Sequence, residues 1–149
     1  MLRVSKLTDY ATVLLGLMAE APDRLRPAAD LAEAARLELP TASKVLKLLT
    51  GAGLVESQRG AAGGYRLALP PDRIAVARIV EAIDGPIAVT ECASHAGQCS
   101  HEAHCGVRGP WQRISGAIER SLREISLAQM LAPPSPDSPG RGEIRIRLA

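Results

Sequence analysis

Residues 40–71 read PTASKVLKLLTGAGLVESQRGAAGGYRLALPP, and two periodicities meet inside them. Pro40 suits the first turn of a helix, where a missing N–H costs nothing. At about 100° per residue, Ala42, Val45, Leu46, Leu48, Leu49 and Ala52 gather on one side, and Ser43, Lys44, Lys47 and Thr50 on the opposite one. The first side is core; the second is short, polar and cationic. Gly53 then supplies a C-terminal stop. Beyond it, Leu54–Gln58 and Tyr65–Ala68 read as two short strands around the glycine-rich tip RGAAGG, and Pro70 and Pro71 end the hairpin.

Upstream, Tyr10, Val13, Leu14, Leu17 and Met18 recur at the spacing of an amphipathic helix, which is expected from Lys6 to Glu20. A shorter helix follows in RPAADLAEAAR, with Pro27 at its start, Leu31, Ala32 and Ala35 on one side, and its end near Leu37. Downstream, Val76, Ile79, Val80 and Ile83 predict a fourth helix over Asp72–Ile83, with Arg73, Arg78 and Glu81 left for solvent. Gly85 and Pro86 close it. Three helices and a hairpin, with the third helix presenting a small cationic face, is the order of a winged helix-turn-helix domain.

The fit of a helix to a DNA groove depends on short side chains and cations at its surface. Thr41, Ser43 and Thr50 are short enough to bring a helix close to base edges, Lys44 and Lys47 suit phosphates or guanine acceptors, and Arg59 sits at the hairpin tip. Gly60, Gly63 and Gly64 permit close approach to a sugar-phosphate backbone, and Tyr65 follows them in the second strand. Taken singly, the two lysines read more readily as a solvated helix face and the glycines as an ordinary turn. Their order along the chain is what favours double-stranded DNA.

Composition limits the alternatives. The chain has 149 residues, 46% hydrophobic and 23% charged, enough for one compact domain with an extension. Eighteen Lys and Arg against sixteen acidic residues leave a net charge of +2, so a polyanion partner has to be argued from local patches. Tyr10, Tyr65 and Trp111 are the aromatic residues and there is no Phe, which removes the stacking platforms of single-strand binders. The N-terminus shows no signal-peptide pattern and no apolar run approaches a bilayer span, so a cytoplasmic protein is expected.

All three cysteines and all three histidines fall in residues 92–105, CASHAGQCSHEAHC. An odd cysteine count in a reducing compartment points to metal or redox chemistry rather than a disulfide framework. The spacing Cys-x6-Cys-x5-Cys is neither the tight pair of a structural zinc site nor a CxxC redox motif. An iron-sulfur cluster is larger than one ion and tolerates such gaps, with Cys92, Cys99 and Cys105 as thiolates and one position left over. His95, His101, His104 or a carboxylate from elsewhere are candidates for it. Zinc is the rival occupant, and a Cys-His nucleophile finds no substrate-binding pattern beside it.

After this loop, Trp111, Ile114, Ile118, Leu122, Ile125 and Met130 stripe one long helix with nothing sequence-adjacent to cover them. Pairing with the same helix of a second subunit is the economical solution. From Ala132 the chain is rich in Pro, Ser and Gly and is expected to be disordered, although GEIRIRLA alternates like a short strand. The fold class is therefore mainly α: a winged helix-turn-helix with a two-stranded wing and a long C-terminal dimerisation helix. Its expected parts are residues 1–86 for DNA binding, 87–108 for the Cys/His loop, 109–131 for dimerisation and 132–149 for the tail.

SKLTDYA at the start, LPTASKVLKLLTGAGLVESQRGAAGGYRLA across helix three and wing, VEAIDGPI before the loop, and the three-cysteine loop together resemble the IscR/NsrR-type iron-sulfur winged-helix repressors. The resemblance covers about residues 1–131, and SKLTDYA with GPIAVTEC and a Trp-led last helix is most similar to the subgroup that regulates SUF iron-sulfur assembly genes. It implies a homodimer that is not an enzyme, with a 2Fe-2S or 4Fe-4S cluster near the dimer interface biasing the winged helix between binding and release of a promoter. Cys92, Cys99 and Cys105 match the family's cysteines. IscR-like members take a histidine three residues after the last cysteine, but that position is Arg108 here. NsrR-like members use an aspartate of the first helix, and Asp9 matches it. A zinc or thiol redox regulator on the same scaffold, or a cluster-carrying or thiol enzyme, are the alternatives.

Overall fold

A computed structural model describes residues 4–90 and 105–133 of the chain. Cys92, Cys99, the three loop histidines and the expected tail beyond residue 133 lie outside the described residues.

Helix α1 spans Lys6–Ala19, α2 Ala28–Ala35 and α3 Leu39–Gly51. Ser5 starts α1 by accepting the Thr8 amide at 3.2 Å, which satisfies one of the donors a helix start leaves free. Arg36 ends α2 in the left-handed conformation at φ 54°, and its amide turns back to the Ala32 and Glu33 carbonyls, a role glycine usually fills. Strands β1, Val55–Gln58, and β2, Gly64–Leu67, pair antiparallel with Val55 opposite Leu67 and Gln58 opposite Gly64. Val55 and Leu67 are buried, so the wing is rooted in the core while its tip projects.

The core is aliphatic, as the composition requires. Leu14, Leu15 and Met18 of α1 meet Leu31 of α2, Val45, Leu46 and Leu49 of α3, and Leu54, Ile74 and Ile79 further along. Two residues assigned to core faces lie at their edges instead: Val13 is 44% and Leu48 36% exposed. Leu48 follows Lys44 by four residues, so it stands above that lysine on the outward surface of α3.

The helix expected over Asp72–Ile83 starts later. Pro71–Arg73 form a 3-10 turn, Ile74 and Ala75 are extended or nearly so, and α4 spans Val76–Asp84. The reason is a pairing across the chain: the Val76 amide donates to Ile125 O at 2.9 Å and the Leu127 amide to Ile74 O at 2.7 Å. The same pairing splits the helix expected over Trp111–Met130. Helix α5 spans Arg108–Glu124, Ile125 is extended, and α6 spans Leu127–Leu131. A capping box starts α6, with the Ser126 hydroxyl on the Gln129 amide and the Gln129 side chain on the Ser126 amide. Leu127, fully buried, then enters the winged-helix core.

Helix α4 touches both halves of the fold. Arg78, expected in solvent, is half-buried and donates from Nη2 to the Ala52 carbonyl at 3.0 Å, occupying an acceptor that the end of α3 leaves free. Glu81 pairs with Arg123 of α5 at 2.8 Å. Only Ser115 of α5 is buried. Trp111 and Ile114 stay 37% and 40% exposed, and Ile118 and Leu122 line an apolar recess of about 580 Å³ with Val80, Pro86 and Ile87. Among the described residues no helix is long and apolar enough to cross a membrane.

Candidate nucleic-acid interface and cysteine loop

Helix α3 and the wing border a cleft of about 490 Å³ lined by Lys47, Thr50, Arg59, Gly60, Gly63 and Tyr65, with Pro27 and Ala28 from the start of α2. Helix and wing residues proposed from sequence are thus brought to one concave surface. Lys47 and Arg59 are exposed and are the charged residues of its lining. Thr41, Ser43 and Lys44 lie outside the cleft, on the exposed arc of α3, with Lys44 exposed and Thr41 and Ser43 half-buried. Thr50 donates its hydroxyl to Leu46 O at 2.8 Å, so toward a ligand it offers an acceptor rather than a donor.

Glycine at the wing has a reason inside the protein as well as outside it. A Cβ on Gly63 would collide with the Gln58 carbonyl, and one on Gly64 would lie 2.6 Å from the Arg26 backbone. That second contact comes from a feature not read in the sequence. Arg26 pairs with Tyr65 through two backbone bonds of 2.9 Å and donates from Nη1 to Leu17 O at 2.9 Å. Tyr65, opposite Ser57 and one pair from the tip end of the ladder, is therefore held by Arg26 and half-buried against the core. The signal was available: Arg26 precedes Pro27, and a residue before proline is pushed toward the extended conformation that such a bridge needs. Glu56 and Arg66 form a further cross-strand ion pair at 2.9 Å on the outer face of the wing.

Of the candidate ligands, Cys105 and Asp9 are described. Cys105 is a half-buried free thiol in the turn that enters α5, where its carbonyl accepts the Arg108 amide at 3.5 Å. Asp9 is exposed in the first turn of α1, beside a recess lined by Val4, Ser5, Lys6, Thr12 and Met130, and its carboxylate has no side-chain partner among the described residues. Cys105 does not line that recess, and among the described residues no three His, Cys, Asp or Glu side chains gather as a metal site.

Asp84 ends α4 beside the start of α1. Its Oδ2 accepts the Thr8 hydroxyl at 2.8 Å and the Ser5 amide at 3.3 Å. Partial burial acts to raise its pKa, but the hydrogen bonds from Ser5 and Thr8 outweigh it and hold the carboxyl below its ordinary value. The tie therefore contributes at neutral pH and is lost as pH falls through the depressed pKa.

A tri-helical core, a rooted two-stranded wing and a cationic cleft between wing and third helix define a winged-helix DNA-binding regulator. The chain belongs to the Rrf2 family, described as iron-dependent transcriptional regulators, whose profile matches residues 4–133. It is 34% identical over 120 residues to the HTH-type transcriptional regulator IscR of Aliivibrio salmonicida, covering 80% of this chain and 71% of that one. Against IscR of Photobacterium profundum it is 30% identical over 131 residues, covering 87% and 76%. Among solved structures it resembles CymR, the global cysteine regulator of B. subtilis, with a TM-score of 0.66, 27% identity and coverage of 88% and 97%. IscR of T. potens gives 0.65, 28%, 87% and 86%. These relatives are regulators by name, and the protein is a transcriptional regulator rather than an enzyme.

Proposed function

We propose that the protein is a homodimeric, iron-sulfur-responsive repressor of iron-sulfur assembly genes, acting in the cytoplasm where its operator lies. Cys92, Cys99 and Cys105 with Asp9 hold the cluster, either 2Fe-2S or 4Fe-4S. The observation that carries the reading is the joining of two parts: a cationic cleft between α3 and the wing, and a free thiol in the turn that enters α5. Among the described residues neither the Cys105 thiol nor the Asp9 carboxylate is engaged by another side chain, and soft thiolates with one oxygen donor suit an iron-sulfur cluster better than a hard cation. When bound, the cluster supplies a link between loop and helix that depends on occupancy and oxidation state.

The protein's own residues do the rest. Lys47 and Arg59 engage phosphates from either side of the cleft, Gly60 and Gly63 let a strand approach the wing, and Tyr65, bonded through its backbone to Arg26, steadies the second strand just below the tip. Thr41, Ser43 and Lys44 face the major groove from the outward arc of α3. Two subunits, paired through the stripe of α5, present two such surfaces to a two-fold operator. A cluster that favours one arrangement of the pair changes operator affinity by its preference between the two states.

The likeness to CymR supports a second reading, a thiol switch without a cluster, and zinc on the same cysteines is its close variant. Anaerobic purification with a visible spectrum and iron, sulfide and zinc analysis separates all three. The expected result is a brown protein with iron and sulfide in equal amounts. Colourless protein with stoichiometric zinc ends the iron-sulfur reading, and metal-free protein whose operator binding follows thiol oxidation establishes the thiol switch.

A further inference from the structure

Only two polar side chains among the described residues are buried, Thr8 at 3% and Ser115 at 5% exposure. A buried hydroxyl is costly unless it is hydrogen-bonded, so its partner shows what the burial serves. Both are engaged with one short stretch of chain. Thr8 donates to Asp84 at the end of α4, and Ser115 accepts the Val89 amide at 3.1 Å. Residues 84–89 are thereby tied at one end to α1 and at the other to α5, and Cys92 follows three residues later.

Asp84 is an unfavourable choice for the end of a helix, where the dipole presents negative charge. Its carboxylate lies instead at the positive start of α1, which reconciles the residue with its position. Ser5 completes the arrangement: its hydroxyl donates to Thr8 Oγ1 at 3.3 Å, leaving the Thr8 proton for Asp84. Thr8 also adjoins Asp9, so the tie sits beside one candidate ligand. Ser115 stands on the helix that begins three residues after Cys105.

We propose that Thr8, Asp84 and Ser115 are positioning residues of the sensor: they set where the chain delivers Cys92 relative to Asp9 and Cys105, and make α1 and α5 respond to the loop. This rests on the reading of the loop as the holder of the cluster. The three residues touch neither cluster nor DNA; they act through the backbone of residues 84–89.

The test uses the full chain with Thr8→Val, Asp84→Ala, the double variant, Ser115→Ala and the conservative Thr8→Ser. Amide exchange over residues 5–9 and 86–90 is read on apo protein, and the rate of cluster loss to a chelator on reconstituted protein. Thr8→Val and Asp84→Ala are each expected to speed both by about three- to tenfold, the size of one partly exposed charged hydrogen bond. The double variant should be no worse than the worse single one, Ser115→Ala should speed cluster loss and exchange over residues 86–90 but leave residues 5–9 as in wild type, and Thr8→Ser should behave as wild type. Multiplying effects in the double variant, unchanged exchange, or Thr8→Ser as damaging as Thr8→Val overturns the proposal. A wild-type chain that takes up neither iron nor sulfide overturns the cluster reading itself, a different result from a chain that takes up both and holds them equally well without the ties.

Discussion

Lys47 and Arg59 face one cleft from opposite elements, and neither forms an ion pair among the described residues, so both are free to exchange counterions for phosphate. Each phosphate contact contributes about one unit to the slope of log affinity against log salt. Lys47→Ala is expected to weaken operator binding and lower that slope by about one unit, measured by anisotropy titration over a range of KCl. Arg59→Ala should cost more if the wing enters the minor groove. Unchanged affinity and slope in both variants would remove the cleft from the interface. Asp9 is decided by comparison with the loop: Asp9→Ala should retain iron on three thiolates but shift the visible spectrum and lose the cluster faster in oxygen. Those changes appearing in His104→Ala instead, with Asp9→Ala as wild type, would transfer the ligand role. The cationic residues of the cleft were legible because charge and helical phase are both written in the chain. Leu48 was misread as core because a wheel fixes an angle, while exposure depends on what packs beside it.

At the scale of elements, α5 is the one whose surface is least accounted for. Ile118 and Leu122 border an apolar recess, and Trp111 and Ile114 remain over a third exposed. Covering a side chain of this kind is worth about 1.5–3 kcal/mol. Ile118→Asp with Leu122→Asp is expected to give monomers that no longer bind the operator, whereas a dimer persisting at micromolar concentration in the ultracentrifuge would place the interface elsewhere. Periodicity found this stripe but ran it through Ile125 into α6. The apolar spacing continues across the break, so the pattern alone gives no reason to stop. Ser126-Leu-Ala-Gln129 does, as a capping box, and the extended Ile74–Ala75 segment supplies the partner. That second half of the explanation lies about fifty positions away in the chain, beyond the reach of any local window.

For the molecule as a whole, Leu127 joins the winged-helix core from beyond α5. The boundary drawn at residue 86 therefore separates core residues from one another. A chain cut to residues 1–86 is expected to lose the burial of a full leucine, a change of the kind that costs about 2–5 kcal/mol, and to melt well below the full chain. The full chain should unfold in one transition by calorimetry and by circular dichroism. Two separated transitions would show that the C-terminal helices fold apart from the DNA-binding part.

The joint at Ser126 also gives α5 the mechanics of a clamped beam. Its far end is fastened by Leu127 and the pairing with Ile74, while its near end begins beside Cys105. Seventeen residues make it about 25 Å long. A tilt of about 5° at the clamp sweeps the Cys105 end through about 2 Å along that length. In the proposed dimer, with the two beams against each other, a 2 Å displacement at the cysteine-bearing end would become a rotation of each DNA-reading body in opposite senses. The separation of the two recognition helices would then change by the sum of both motions. Operators ask for half-sites about 34–36 Å apart, and a gearing of this kind lets a change the size of one bond length or two at the sensor alter whether that spacing is met.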